Sequence, residues 1–194
     1  DCLGAFLGFM LNNLSGMPMI ANTSIYKGKV GEVVASPLLS LSSRPLGLAG
    51  GYFVTQDGYP AGNTNIIDHG ELKSYLLNLY ASKKTNLTRA ATGGGCYVVE
   101  PGAQSMAQMV SDVRQGILIS RFSGGRPSET GDFSGVAKNS YYIENGEVQF
   151  PISETMVSGN MATLLRDIVA VSSERADYGS AHFPWVRVAG IGVS

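Results

Sequence analysis

The stretch that most constrains the fold is 122–146, FSGGRPSETGDFSGVAKNSYYIENG. It starts as a glycine-rich loop through Ser123, Gly124, Gly125, Arg126 and Pro127, then turns through Thr130, Gly131, Asp132, Phe133, Ser134 and Gly135. A strand over 140–144 runs into Asn145-Gly146, and 147–152 returns beside it. Asn-Gly between two apolar-rich runs is the strongest short-range hairpin signal, because both central turn positions take positive φ. The other glycines bring main chain close to a neighbouring strand or to a ligand.

Upstream, Leu3, Phe6, Leu7, Met10 and Leu14 fall on one face of a helix over 2–14. Met17-Pro18-Met19 reads as a loop, and Asn22 or Thr23 as the cap of a second helix reaching about 34, weakened by Gly28 and Gly31. A strand is expected over 36–41 and a loop over 42–51. A second hairpin follows, with a strand over 65–68, a turn at Asp68-His69-Gly70 and a return over 71–79. The polar, basic stretch 80–92 leads into Gly93-Gly94-Gly95-Cys96, either a mobile loop or a place of close main-chain contact. A strand covers 97–100. The most secure helix is 105–115, with Ser105 and Gln108 as a capping box and Gly116 in the C′ place. Asn160 caps a last helix with Met161, Leu164, Leu165 and Ile168 as its stripe. A polar loop over 172–180 and a strand over 181–193, placed at an edge by Pro184, close the chain. The pattern is α+β: a mixed, largely antiparallel sheet with hairpins and a few short helices packed on it.

The net charge of −1 and the scattered basic residues give no electrostatic case for nucleic acid. No apolar run approaches the roughly 18 residues of a membrane span. The chain is 44% hydrophobic and only 15% charged. Two readings fit: surface buried against another domain or subunit, or polar but uncharged faces. Cys2 and Cys96 form no Cys-x-x-Cys pair and read as free thiols in a reducing compartment, so the expected location is cytoplasmic. Because Asp1 stands first, the chain is expected to be part of a longer or processed product.

GDFSGVAKNSYYIENGE, followed by Val157-Ser158-Gly159-Asn160 and a short helix, resembles the C-terminal domain of the TldD/PmbA family. These are zinc-peptidase-related proteins once described as modulators of DNA gyrase. Asp57-Gly58-Tyr59-Pro60 and Asp68-His69-Gly70-Glu71-Leu72 follow the same family order. The resemblance implies that 1–194 is a single domain, the C-terminal domain of a longer protein. It implies a homodimer, or a heterodimer with a TldD-like subunit, enclosing a chamber in which small or unfolded peptides are cut or matured. The peptidase member carries H-E-x-x-x-H in its N-terminal half and a cysteine ligand near its C-terminal end. This chain has only His69 and His182, and Gly179-Ser180, where that cysteine is expected, holds none. The resemblance is therefore to the PmbA (TldE-like) side. Zinc is a possibility for the intact protein or its partner subunit, with no catalytic or metal-binding residue assigned in 1–194. The alternative is a non-catalytic binding, assembly or regulatory protein derived from the peptidase.

The candidate peptide-binding residues are Ser123, Gly124, Gly125, Arg126, Gly131, Asp132, Phe133, Ser134 and Gly135. Asp132 and Ser134 fit either a peptide groove or an Asx-type turn. Arg121 and Arg126 are suited to a peptide carboxylate or to a plain solvated surface. Cys96 reads as a small residue at a strand entrance, or as a nucleophile if a histidine and an acid stand near it. An extended peptide is expected to add to the sheet by main-chain hydrogen bonds. Proline substitutions over 134–137 are then expected to weaken binding without unfolding the domain.

Overall fold

The computed structural model describes residues 2–194. Helix α1 (Cys2–Asn13) buries Leu3, Leu7 and Met10. Full burial of an aliphatic side chain of this size stabilises by about 1.5–3 kcal/mol relative to exposure. The expected helix over 22–34 does not form. The helix is instead α2 (Gly16–Ala21), which takes in the Met17-Pro18-Met19 expected as a loop. Pro18 lies in its first turn, where a missing N–H leaves nothing unpaired. Asn22, at φ 59, ends α2 and does not start a helix; its N–H donates to Pro18 O. Gly28 and Gly31, at φ 80 and 89, then turn the chain back.

Strand β1 (Leu41–Ser43) begins later than expected, because the preceding main chain is engaged elsewhere. Ser36 donates from N to Leu165 O at 2.8 Å and from Oγ to Ile168 O at 2.7 Å. β2 (Thr64–Asp68) and β3 (Glu71–Leu72) form the second hairpin, with His69 and Gly70 at φ 47 and 82. The return to 79 stops at Leu72, and helix α3 (Leu79–Thr85) occupies the start of the polar, basic stretch, for which the sequence pattern predicts no element. Asn78 caps it, accepting from Ala81 N at 2.9 Å. β4 (Tyr97–Val99) precedes α4 (Met106–Ser111), whose capping box is present as expected. The helix is shorter than 105–115. Gly116 does not cap it but lies in β5 (Gln115–Leu118), opposite Ile143.

The central stretch is more extended than its composition suggests. β6 (Arg121–Gly124) pairs with β7 (Asp132–Lys138), so 132–135 is strand and not turn. β8 (Ser140–Glu144) and β9 (Glu147–Ile152) form the expected hairpin about Asn145 and Gly146, at φ 50 and 82. β10 (Thr155–Asn160) leads into α5 (Met161–Arg166), where Asn160 accepts from Ala162 N and Thr163 N. The expected polar loop over 172–180 is mostly β11 (Ile168–Asp177), in which buried Ser172 accepts from Trp185 N at 2.8 Å. β12 (Ala181–Val188) and β13 (Gly192–Val193) follow. β12 is internal to its sheet, but its pairing with β4 covers only Ala181 and His182. Pro184 lies beyond that pairing, where its second side needs no donor.

The fold is α+β. Among the described residues the strands form three sheets, ordered β11-β12-β4-β1-β2-β3, β13-β10-β7-β6 and β5-β8-β9. All pairs are antiparallel except β12 with β4. The larger core joins α1 and α2 to the six-stranded sheet, and a smaller one gathers Phe133, Met161 and Leu164 under the four-stranded sheet. Phe6 packs against both. Between the sheets lies a cavity of about 890 Å³, walled by α1, α4 and strands of all three. Among the described residues no helix is long and apolar enough to cross a membrane.

Candidate functional site

The nine candidate residues lie on one hairpin, β6–β7, and its connecting loop. β7 is sandwiched between β6 and β10, whereas β6 is the outer strand of the sheet. Alternation sorts the side chains. Phe133, Gly135 and Ala137 point to the buried face, while Asp132, Ser134 and Lys138 are exposed. On β6, Arg121 and Ser123 oppose Lys138 and Val136. They share the outer face, and Phe122 lies on the inner one.

Two close-packed glycines shape this edge. Gly124 stands opposite Gly135, and the Phe122 ring covers both. A Cβ on Gly124 would stand 2.5 Å from Phe122 Cζ and 2.7 Å from Ser134 O. The pair is therefore glycine because an aromatic ring and two strands meet there. Phe122 makes an edge contact with Phe133, with centroids 5.6 Å apart at 84°, and Phe133 meets Phe6 at 5.8 Å. Phe133 is thus core, only 6% exposed, and is not on the surface a peptide would touch.

The Asp132 carboxylate is engaged by side chains, not by its own main chain as in an Asx-type turn. Oδ2 accepts from Thr130 Oγ1 at 2.8 Å and Ser128 Oγ at 3.2 Å, and Oδ1 accepts from Asn160 Nδ2 at 2.9 Å. These bonds, that from Asn160 first, hold its carboxyl below the ordinary range. Gly131 is buried at φ 99, and its carbonyl accepts from Met161 N. Of the nine, Ser123, Gly124, Gly125, Arg126, Asp132 and Ser134 are exposed, and no other strand lies on the far side of β6 among the described residues. Because β7 is interior, proline over 134–137 would break the ladder itself. The expectation that it spares folding is corrected on that ground.

A second, smaller concavity of about 450 Å³ is lined by Gly50, Tyr52, Cys96 and Ser180. Tyr52 is a residue the sequence reading passed over. Its hydroxyl accepts from Gly93 N at 2.8 Å and donates to Gly94 O at 2.7 Å. The glycine run is therefore a site of close contact, fixed by a tyrosine about forty residues upstream. Cys96 is buried at φ 51 and turns Sγ to Gly50 O at 3.4 Å.

The two histidines sit in separate turns. His69 Nδ1 lies 2.8 Å from its neighbour Asp68, and His182 Nε2 lies 3.1 Å from Asp177. Among the described residues no three His, Cys, Asp or Glu side chains group so as to hold a metal.

The model of the PmbA/TldA metallopeptidase C-terminal domain matches residues 1–194. The metalloprotease PmbA of Escherichia coli O157:H7 is 26% identical over 94% of this chain and 43% of its own length. A metalloprotease of Methanothermobacter thermautotrophicus is 27% identical over 90% of this chain and 41% of its own. The chain thus spans about two fifths of the curated relatives it matches. A crystal structure from Bacteroides thetaiotaomicron, described as a modulator of DNA gyrase, superposes with a TM-score of 0.89 at 29% identity, covering 97% of this chain and 44% of that one. TldE from Thermococcus kodakarensis shares the fold, with a TM-score of 0.84 at 21% identity over 95% of this chain and 46% of its own. The chain belongs to the PmbA/TldD metallopeptidase family and carries its C-terminal domain.

Proposed function

We propose that this chain is the peptide-holding C-terminal domain of a PmbA-like protein that takes part in proteolysis or maturation of small or unfolded peptides. Any zinc is held by residues outside 1–194 or by a TldD-like partner subunit, in a homodimer or heterodimer. The observation that carries the reading is the free edge of β6, continuous with the exposed loop at Gly124, Gly125 and Arg126. An edge strand offers unpaired main-chain donors and acceptors, and an extended peptide adds to them with little regard to its sequence. The metalloprotease names of the relatives support a peptide as the ligand.

The test leaves the protein unaltered. A fluorescein-labelled unfolded peptide is titrated against the intact protein. It is then replaced by two versions N-methylated at alternate residues, one in each phase. Strand addition uses the N–H groups of one phase only. One methylated peptide is expected to lose affinity by about tenfold or more, and the other to bind as the parent does. Equal binding by all three overturns the reading. Zinc per protomer, measured without chelator, then separates an inactive sibling near zero from a metallopeptidase near one.

A further inference from the structure

We propose that the β6 edge selects extended segments with apolar residues at every second position and acidic residues between them, the apolar side chains entering the cavity beneath the four-stranded sheet. This rests on the strand-addition reading above and adds a substrate class to it.

A strand added to β6 continues the pleat, so its side chains alternate between the same two faces. On the inner face they fall beside Phe122, and there the sheet is a wall of the 890 Å³ cavity. The surfaces awaiting them are Ile117 of β5, Ile119 just after it, and Val169 and Trp185 of the six-stranded sheet. Val169 and Trp185 are still 47% and 41% exposed, so the cavity is an open apolar surface and not a closed core. The glycine edge leaves room for entry: a Cβ on Gly125 would meet nothing within 4 Å. Cys2 marks the place where edge and cavity join. It lines the cavity together with Phe122 of β6.

On the outer face the requirement is different. Arg121 stands directly opposite Lys138, and like charges across a strand pair destabilise it. Neither takes part in any of the ion pairs among the described residues, and both are exposed. Arg126 adds a third unpaired cation in the loop that follows. An acidic side chain on the outer face of an added strand lies beside Arg121 and relieves the pair, while a basic one adds to the repulsion.

Three labelled octapeptides test this on the intact protein: alternating Leu/Glu, the same residues as a Leu block followed by a Glu block, and alternating Leu/Lys. Binding is read by fluorescence anisotropy, and occupancy of the edge by mass-spectrometric alkylation of Cys2. Alternating Leu/Glu is expected to bind about tenfold or more tighter than either of the others and to slow Cys2 alkylation. Arg121→Gln is expected to narrow the preference for Glu over Lys without changing that for alternation over blocks. Equal affinity for alternating and block peptides, or unchanged Cys2 labelling under saturation, overturns the inference. If the phase-specific effect of N-methylation persists, strand addition stands and only the pattern falls; if that effect is absent, both fall.

Discussion

Asn160 and Asp132 are locked side chain to side chain, Nδ2 donating to Oδ1 at 2.9 Å, while the same asparagine accepts from Ala162 N and Thr163 N through its oxygen. One residue thus caps α5 and fixes the end of β7, with a further bond to Thr130 O at 2.9 Å. Asn160→Ala is expected to destabilise the protein in urea titrations by about 1–2 kcal/mol, the range for a lost N-cap. Asn160→Asp keeps the cap acceptor but removes the donor and sets two carboxylates together. It is expected to be destabilising at neutral pH and to recover partly in acid. The recovery in the variant follows because protonating either carboxylate removes their repulsion, whereas in the parent the Asp132 carboxyl is held low. Its contribution is present above the unfolded value of about 4 and is lost as pH falls through the folded one. An Asn160→Asp variant as stable as the parent at pH 7 contradicts the role given to Nδ2.

Arg89 holds Asp57 through two bonds, Nε to Oδ2 at 2.9 Å and Nη2 to Oδ1 at 3.0 Å, with its guanidinium 4.1 Å from the Tyr59 ring centroid. Asp57 also accepts from Leu79 N at 2.7 Å, so the pair ties the 53–61 loop to the start of α3. Both side chains are under one fifth exposed. Arg89→Met is therefore expected to lower stability by about 1–3 kcal/mol, between the values for exposed and buried pairs. The Arg89 hydrogen bonds hold the Asp57 carboxyl well below the usual carboxylate range. Its contribution is complete above about pH 4 and declines only in stronger acid as pH falls toward the folded value. The loss in Arg89→Met is accordingly expected to be constant from neutrality down to about pH 4, which thermal melts across pH will test.

What could be read in the chain was local. Asn145-Gly146 announced its hairpin because both positions need positive φ, and they have it at 50 and 82. Ser105 with Gln108, and Asn160 ahead of Met161, announced helix starts because each cap reaches only two or three residues. Asn22 misled because the same short polar side chain serves at either end of a helix, and here its φ of 59 closes α2. β7 was hidden by Gly131, Ser134 and Gly135, residues that usually break strands. It forms because β6 and β10 pair on both sides and Phe122 fills the space the glycines leave. The Asn160 partner of Asp132 and the Tyr52 partner of the 93–95 glycines lie 28 and about 40 residues away, and no spacing rule reaches them.

Gly135 tests the packing of the candidate edge. A Cβ there collides with the Phe122 ring and stands 2.6 Å from Gly124 Cα on the facing strand. Gly135→Ala is expected to cost about 1–3 kcal/mol, the range for overpacking in a tight site. Phe122→Ala is expected not to rescue it, because the main-chain approach remains. Recovery to the level of Phe122→Ala alone, in a double-mutant cycle by chemical denaturation, would show that the ring and not the strand spacing requires glycine.

The two thiols differ in access, and this decides whether Cys96 has any chemical role. Cys96 is 4% exposed with Sγ turned to Gly50 O, whereas Cys2 is half-buried at the cavity wall. Burial pushes the Cys2 thiol above its ordinary value of 9.0, so its reactive thiolate is scarcer at neutral pH than that of a free cysteine. With iodoacetamide under native conditions, Cys2 is expected to be alkylated first. Its rate should be below that of a small free thiol and should still rise as pH passes 9.0. Cys96 is expected to react only after denaturation. Peptide mapping by mass spectrometry separates the sites. Rapid alkylation of native Cys96 would mean that the concavity beside Tyr52 and Ser180 opens, and would bring back a nucleophilic cysteine as the competing explanation of this surface.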